Sequence, residues 1–92
     1  MHEDFKILRK KWLTHRVYKY TLKYSDALSK SEYYNELSKR YSDAALMYGE
    51  HVSIVLSNYQ HSQEYQLKSK HFKTLADIYL SKKNDLEKEL HS

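Results

Sequence analysis

Residues 34–59, YNELSKRYSDAALMYGEHVSIVLSNY, decide the fold class of this 92-residue chain. Tyr34, Tyr41 and Tyr48 are seven residues apart, and other apolar residues follow at steps of three and four. Such spacing places the side chains on one face of an α-helix. A strand would alternate apolar and polar residues at every second position, and this segment does not. It therefore predicts a long amphipathic helix lined by tyrosine.

Apolar residues with helical spacing also occur on both sides of this segment. Upstream they are Leu13, Val17, Tyr20, Tyr24 and Ala27. Downstream they are Tyr65, Phe72, Tyr79 and Leu86, again seven apart. The downstream stripe is out of phase with the first, which predicts a chain break near residues 60–63 or a stammer in a continuous coil. The break is favoured because Ser62 suits the N-cap of a new helix and Glu64 suits its first turn.

Two all-α arrangements fit these stripes. In a three-helix bundle the helices span about 4–28, 31–60 and 63–90, and Ser29 with Glu32 forms the capping box that starts the second helix. In a long antiparallel helical hairpin or coiled coil, one helix of about 55 residues packs on a shorter partner. So long a helix needs a second chain to bury its stripe, and this arrangement is therefore expected to be oligomeric.

The composition supports a helical domain and excludes several other classes. The chain has one glycine, no proline and no cysteine. Sheet proteins need turns, which use glycine and proline, and the lack of cysteine excludes a disulfide framework or a thiolate zinc site. Gly49 itself is expected inside a helix, at a cost of about 1 kcal/mol relative to alanine. Residues 1–92 are predicted to form one all-α domain.

The N-terminal residues and the hydropathy bear on where the protein works. The chain starts Met-His-Glu-Asp-Phe, with acids where a signal peptide carries bases. No apolar run reaches the length of about 18 residues that a membrane-spanning helix needs. The expectation is a soluble protein of the cytoplasm or another intracellular compartment.

Sequence motifs that support catalysis are absent. The sequence contains no glycine-rich phosphate loop, no nucleophile elbow and no HExxH motif. The six histidines never lie three or four residues apart, so no helix face presents a histidine pair to a metal. They are His2, His15, His51, His61, His71 and His91. The sequence therefore predicts a non-enzymatic protein with no cofactor, no metal and no small-molecule substrate.

Tyrosine is the strongest indicator of function, with ten in the chain. It combines a large apolar ring with a hydroxyl that needs a partner or water, and it is enriched at binding hot spots. Tyr34, Tyr41 and Tyr48 lie on the stripe, whereas Tyr18 and Tyr33 fall off it and are expected to be exposed. The stripe either forms only the structural core or forms the core and a partner-binding surface as well. On the second interpretation these five residues bind a partner protein. The predicted function is that of an adaptor, assembly factor or inhibitor that also forms a homo-oligomer.

One stretch resembles a known family. YSDAALMY at 41–48, followed by Val52 and Leu56, is similar to the second helix of microtubule-interacting-and-trafficking domains. Those domains are three-helix modules that bind short peptides in grooves beside their third helix. The groove residues that the resemblance implies are Leu75, Ile78 and Tyr79. It covers residues 41–56 only; the first stripe is longer than is usual for that family, and the third lacks its typical arginine.

A basic row marks the N-terminal third of the chain. Arg9, Arg16, Lys23 and Lys30 are seven residues apart and line one edge of the first helix. The residues that thicken this edge are Lys6, Lys10, Lys11, Trp12 and Lys19. Such a row can follow a phosphate backbone over roughly 30 Å, with Trp12 or Tyr18 stacking on bases. Nucleic-acid binding is therefore the alternative function.

Two other interpretations of the basic row stay open. The row is either a solvated face or an internal flank whose salt bridges to acids of the middle segment set helix order and direction. Those acids are Glu32, Glu36, Asp43 and Glu50. A structural coiled-coil oligomer is the third function that the sequence allows. An anionic membrane surface is disfavoured, because no polybasic run adjoins an exposed apolar face.

Overall fold

The computed structural model describes residues 2–92, which form an antiparallel helical hairpin. Helix α1 spans His2–Met47, helix α2 spans Val52–His91, and residues 48–51 connect them. The hairpin is a rod whose Cα atoms extend over 76 × 13 × 13 Å. The predicted all-α fold class is confirmed, and of the two arrangements the long hairpin is the one that forms.

The three-helix division of the chain is wrong. Helix α1 continues through Ser29 and Glu32, so no capping box starts a helix there. Ser62 lies buried in the middle of α2 rather than at an N-cap, and the chain turns at Gly49 rather than at 60–63. The phase shift between the stripes arises because they lie on different helices. The three-helix architecture implied by the resemblance to microtubule-interacting-and-trafficking domains therefore does not apply to this chain.

Backbone hydrogen bonds hold the turn between the helices. The Tyr48 N–H donates to the Ala44 carbonyl at 3.2 Å, and the His51 N–H donates to the Tyr48 carbonyl at 2.9 Å. His51 occupies the N-cap of α2 without a side-chain capping bond. Gly49 does not have a positive φ, and a Cβ there would lie 3.7 Å from the Leu46 carbonyl oxygen, an ordinary contact. The turn therefore places no steric demand for glycine at this position.

A small-residue seam runs along the contact between the helices. Its members are buried and seven residues apart on each helix: Ser31, Ser38 and Ala45 of α1, and Ser62, Ser69 and Ala76 of α2. Small side chains allow the two helix axes to approach closely. The seam is thus the line along which the backbones come nearest to each other.

The four seam serines exchange hydrogen bonds across the hairpin. Ser31 Oγ donates to the Ser69 carbonyl at 2.9 Å, and Ser69 Oγ donates to the Ser31 carbonyl at 2.7 Å. Ser38 and Ser62 make the same exchange, with both distances 2.9 Å. Each buried hydroxyl therefore has an acceptor on the opposite backbone, and no seam hydroxyl loses a hydrogen bond on burial.

Ion pairs do not join the two helices in the described part of the chain. Each ion pair there links residues three or four apart on one helix, such as Lys30 Nζ and Asp26 Oδ2 at 3.1 Å. The predicted salt bridges from the basic row to the acids of the middle segment are therefore wrong. Those acids, Glu32, Glu36, Asp43 and Glu50, are exposed. Helical spacing from the seam directs Glu32, Glu36 and Asp43 away from α2, and Glu50 lies in the turn.

The hairpin has a thin core. Among the described residues the buried apolar side chains are Leu13, Ala27, Ala45 and Ala76, and no large side chain is fully buried. The accessible surface is 7415 Å². A compact globular protein of the same 11.2 kDa would expose about 5,700 Å². The chain therefore leaves about 1,700 Å² more surface in contact with solvent than its mass requires.

Candidate protein-binding face

Five rings stack in an aromatic column along one side of the hairpin. In order they are Phe72, Tyr34, Tyr65 and Tyr41, followed by the imidazole of His61. The ring centroids lie 5.6, 5.9, 5.4 and 5.2 Å apart along this order. The interplanar angle is 8° at the first contact and 41° at the last. Successive rings come alternately from α2 and α1.

The spacing of the column follows from helix geometry. Tyr34 and Tyr41 on α1 are separated by one heptad, and so are Tyr65 and Phe72 on α2. One heptad advances about 10.5 Å along a helix. Two such rows, interleaved because the helices are antiparallel, give one ring about every 5 Å, which is the distance at which offset rings stack. The rings are too large for the close contact at the seam, so they lie beside it and remain half-buried.

The column ends where the heptad position on α1 holds alanine in place of tyrosine. The α1 position one heptad before Tyr34 is Ala27, whose methyl group cannot continue the stack beyond Phe72. One further heptad along, the ring of Tyr20 lies 6.1 Å from that of Tyr79 on α2, tilted by 36°. The aromatic residues therefore form a continuous column toward the turn and a separate pair toward the open end of the rod.

Lysines lie against the rings of the column. Lys30 Nζ is 5.5 Å from the centroid of Phe72. Lys68 Nζ is 5.5 Å from the centroids of both Tyr34 and Tyr65. Each contact lies within the range of a cation–π interaction, which contributes about 0.5–1 kcal/mol at an exposed site.

A second group of cations surrounds the separate ring pair. Lys23 Nζ lies 5.3 Å from the centroid of Tyr20 and 5.7 Å from that of Tyr79. Lys82 Nζ lies 5.7 Å from Tyr20, and the Arg16 guanidinium carbon lies 5.8 Å from it. Positive charge from both helices therefore concentrates on this part of the surface.

These charges and rings shift the pKa of two tyrosines in opposite directions. The pKa of Tyr20 is lowered from its ordinary 10.0, mainly because the neighbouring Arg16 side chain favours the phenolate, and also because of the nearby lysine charges. The pKa of Tyr65 is raised from 10.0, mainly because its phenolate would lie next to that of Tyr41. Close packing of hydroxyl-bearing rings thus opposes ionisation in the column, and the surrounding cations favour it at the ring pair.

The side of the hairpin that carries the column and the ring pair is here called the aromatic face. All but one of the predicted protein-binding residues lie on it or at its edge: Tyr33, Tyr34, Tyr41, Tyr48, Leu75, Ile78 and Tyr79. Tyr33 packs edge-on against Tyr34, with centroids 5.4 Å apart, and its side chain is 61% exposed. Tyr18 is 62% exposed, but helical spacing places it on the opposite side. It borders a shallow apolar groove on the outside of α1 with Ile7 and Thr14.

The predicted nucleic-acid-binding residues divide between the two sides of the rod. Those that border the aromatic face are Arg9, Trp12, Arg16, Lys19, Lys23 and Lys30. Lys11 lies in the groove beside Tyr18, and Lys10 lies at the open end near Leu90. The Arg16 guanidinium carbon stands 4.9 Å from the centroid of Trp12. The basic row of Arg9, Arg16, Lys23 and Lys30 is therefore one edge of the aromatic face. Lys10 and Lys11, which were predicted to bind with it, lie elsewhere on the rod.

Sequence reasoning did not assign a binding role to several residues of this face. These are His61, Tyr65, Lys68, Phe72 and Lys82. The stripe of Tyr65 and Phe72 was visible as a heptad repeat, but without the turn position it could not be aligned with Tyr34 and Tyr41. Lys68 is three residues after Tyr65, the spacing that brings a long side chain over a ring on the same helix. Lys82 instead reaches the ring of Tyr20 on the other helix.

Neither a metal site nor a membrane-spanning helix is found among the described residues. No group of three or more histidine, aspartate or glutamate side chains is placed to hold a metal ion within the part of the chain that was described. Neither described helix contains an apolar stretch of a length that crosses a bilayer. The aromatic face combines stacked rings, exposed apolar side chains and lysine side chains that lie against the rings.

Comparison with protein-family models, with curated proteins and with solved structures gives no match to this chain.

Proposed function

We propose that this protein is a small non-enzymatic interaction protein that binds a partner protein through its aromatic face. An adaptor, an assembly factor or an inhibitor would work in this way. The observation that carries the proposal is the half-buried aromatic column, which stays accessible after the hairpin has folded. Tyrosine-rich surfaces of this kind contribute most of the binding energy in many protein interfaces.

The distribution of exposed apolar residues also supports a binding role. Several large apolar side chains around the turn are exposed: Leu46, Met47, Tyr48, Val52, Ile54, Leu56 and Tyr59. Met47 is 81% exposed, the largest value among them. Between residues 44 and 60 the sequence has one formal charge, that of Glu50. Contiguous apolar patches with few charges typically mark contact sites on a protein surface.

A capture experiment with matched variants tests the proposal. The wild-type chain, Tyr33→Glu and Tyr18→Glu would be immobilised in parallel and exposed to an extract of the source organism. The two tyrosines are equally exposed but lie on opposite sides of α1. A partner of the aromatic face is retained by the wild type and by Tyr18→Glu and is lost with Tyr33→Glu. Retention of the same proteins by all three chains, or of none, contradicts the proposal.

Nucleic-acid binding is the second candidate function. The observation that favours it is that Arg9, Arg16 and Lys23 have no carboxylate within 4.0 Å among residues 3–92. Cations without acidic partners remain available for phosphate groups. The membrane alternative has no comparable support, because the exposed apolar residues near the turn adjoin no lysine or arginine from 41 to 67.

A salt titration separates this candidate from protein binding. Affinity for a labelled single-stranded oligonucleotide should fall steeply with salt concentration. Reversal of Arg9, Arg16 and Lys23 to glutamate should abolish the binding, whereas the same reversal at Lys11, Lys39 and Lys70, on the other side of the rod, should weaken it much less. Equal losses for both triple variants would indicate attraction by net charge alone and would remove this candidate.

A further inference from the structure

We infer that the partner of the aromatic face is a second copy of this chain, packed side by side and antiparallel to the first. The product is a four-helix rod with two-fold symmetry. This inference rests on the proposed function, because it identifies the occupant of the same surface. Three properties of the described residues support it: the shape of the rod, the division of charge along it, and the arrangement of apolar residues on the aromatic face.

The shape of the hairpin favours contact along its side. A stable interface buries about 800 Å² on each partner. A strip along the rod that is 76 Å long reaches that area at a width of about 10 Å, the diameter of one helix. The end of the rod, two helices wide, offers only about 200 Å². Contact between two turns is therefore too small for a stable dimer, and the surplus surface of the hairpin lies along its length.

The positive charge of the rod is concentrated in one of its two halves. The turn half, residues 25–75, carries six of the 16 bases and six of the 12 acids, a net charge of 0. The open half, residues 1–24 with 76–92, carries the other ten bases and six acids, a net charge of +4. A parallel pair would place +4 beside +4. An antiparallel pair places each positive half beside the neutral half of the other copy, which reduces this repulsion.

The apolar residues of the aromatic face are arranged to match this orientation. The turn half contributes Tyr33, Tyr41 and Met47. The open half contributes the ring pair of Tyr20 and Tyr79 with the lysines that surround it. In the antiparallel arrangement the rings of one copy face the cations of the other, which suits cation–π contact.

The two-fold axis passes near the middle of the rod. Because α1 spans His2–Met47, the middle lies near the level of Leu75 and Ile78 on α2. A two-fold contact is self-complementary, so residues near the axis meet their own copies. Ile78 is 44% exposed and lies at the edge of the aromatic face. At this position the same side chain of the two copies would meet, so a single substitution changes both sides of one contact.

Sedimentation and light scattering of the full chain over a range of concentrations provide the first test. The wild type should reach twice its 11.2 kDa mass. Ile78→Glu places two new like charges at the axis and should raise the dissociation constant at least about tenfold. Leu67→Glu, at a 67% exposed leucine on the outer side of α2, should leave it unchanged. A monomer at all concentrations, or equal effects of both variants, overturns the inference.

Single cysteines establish the orientation, because the chain has no cysteine of its own. With a short bis-maleimide reagent, Ile78→Cys should crosslink two copies and Glu50→Cys in the turn should not. Crosslinking through Glu50→Cys would indicate a parallel or turn-to-turn pair and would overturn the antiparallel arrangement.

The capture experiment distinguishes the two proposals. If the chain is monomeric but loses a different protein partner with Tyr33→Glu, the inference of a second copy fails and the proposed function stands. If only a labelled oligonucleotide occupies the face, both fail.

Discussion

The small-residue seam and the aromatic column are two lines of the same helix–helix contact, and they contribute different properties. The seam is buried, narrow and closed by hydrogen bonds such as that from Ser69 Oγ to the Ser31 carbonyl at 2.7 Å. The column is half-buried and stacks rings such as Tyr34 and Phe72, 5.6 Å apart. The seam therefore fixes the distance and register of the helices. The column adds contact area and remains available to a partner.

The difference explains why serine rather than a larger apolar residue lines the seam. Cross-helix hydrogen bonds of both pairs form only where Ser31 faces Ser69 and Ser38 faces Ser62. A slip of one heptad would leave one pair of facing serines in place of two. Stacked rings discriminate less between one helix register and another, because a ring displaced by one heptad meets another ring of similar size. Register is thus specified by the smallest side chains of the contact.

The largest loss of stability is expected where a larger side chain forces the two helices apart at the seam. Ser38→Leu inserts a bulky side chain between backbones that are in close contact, and overpacking of this kind typically costs about 1–3 kcal/mol. Ser29→Leu is the matched control, since Ser29 is exposed on the same helix. Urea unfolding followed by circular dichroism would measure both. Equal stability of the two variants would show that the seam is not the closest line of approach.

A somewhat smaller loss is expected in the column. Phe72→Ala removes a half-buried ring and its stack on Tyr34, and should lower the free energy of unfolding by about 2 kcal/mol, below the 3–5 kcal/mol typical of a fully buried phenylalanine. Leu67→Ala, at an exposed position of the same helix, should change it by less than about 0.5 kcal/mol. The same urea experiment applies. No loss for Phe72→Ala would mean that the column does not stabilise the hairpin.

The sequence was sufficient to predict the helices and the tyrosine repeat but not the position of the turn. Tyr34 and Tyr41 follow the heptad that was predicted, and the all-α class follows from it. Ser62 was interpreted as a helix start because serine favours N-caps, whereas here its small size makes it a core residue. Only the structure shows that it faces Ser38. A small residue becomes part of the core only where a second helix lies close to it, and the sequence does not show which residue lies opposite.

The turn was missed for a related reason. Gly49 is the single glycine of the chain, but apolar residues continue through it without a change of spacing, from Met47 to Val52. Those residues are exposed in the structure, so their periodicity does not report on the contact between α1 and α2. Exposure of Tyr33 and Tyr18 was predicted correctly from their positions off the stripe. Their binding roles remain predictions.

Smaller effects should follow from removal of single seam hydroxyls. Ser38→Ala removes the hydrogen bond to the Ser62 carbonyl and should cost about 1 kcal/mol. Ser62→Ala should cost a similar amount. Each hydroxyl donates to a backbone carbonyl that remains when the other serine becomes alanine, so the double variant should lose about the sum of the two. A loss well below the sum in a double-mutant cycle would indicate that the contact between the two hydroxyls, 3.1 Å apart, couples them.

The smallest effect concerns alkaline pH. The pKa of Tyr65 is raised above 10.0, so its contribution to stability is present below pH 10.0 and is lost as the pH rises through the higher folded-state value. The pKa of Tyr20 is lowered, so its contribution is present above pH 10.0 and is lost as the pH falls through the lower value.

Ultraviolet absorbance of the phenolate measures both shifts. Tyr20→Phe should remove absorbance change below pH 10.0, and Tyr65→Phe should remove absorbance change above pH 10.0. Identical titration curves for the two variants would show that the rings experience the same surroundings.

The antiparallel hairpin has a mechanical consequence, since its two ends lie together and far from the turn. Tension applied between the starts of the rod, for example at residues 5 and 90, loads one layer of the seam at a time, so the helices peel apart gradually. Tension between the turn at Gly49 and residue 90 instead passes along α2 alone, where the backbone hydrogen bonds of that helix carry the load. The four hydrogen-bonded hydroxyls thus resist a pull that separates the open ends, one layer after another, and carry no direct load in a pull along α2.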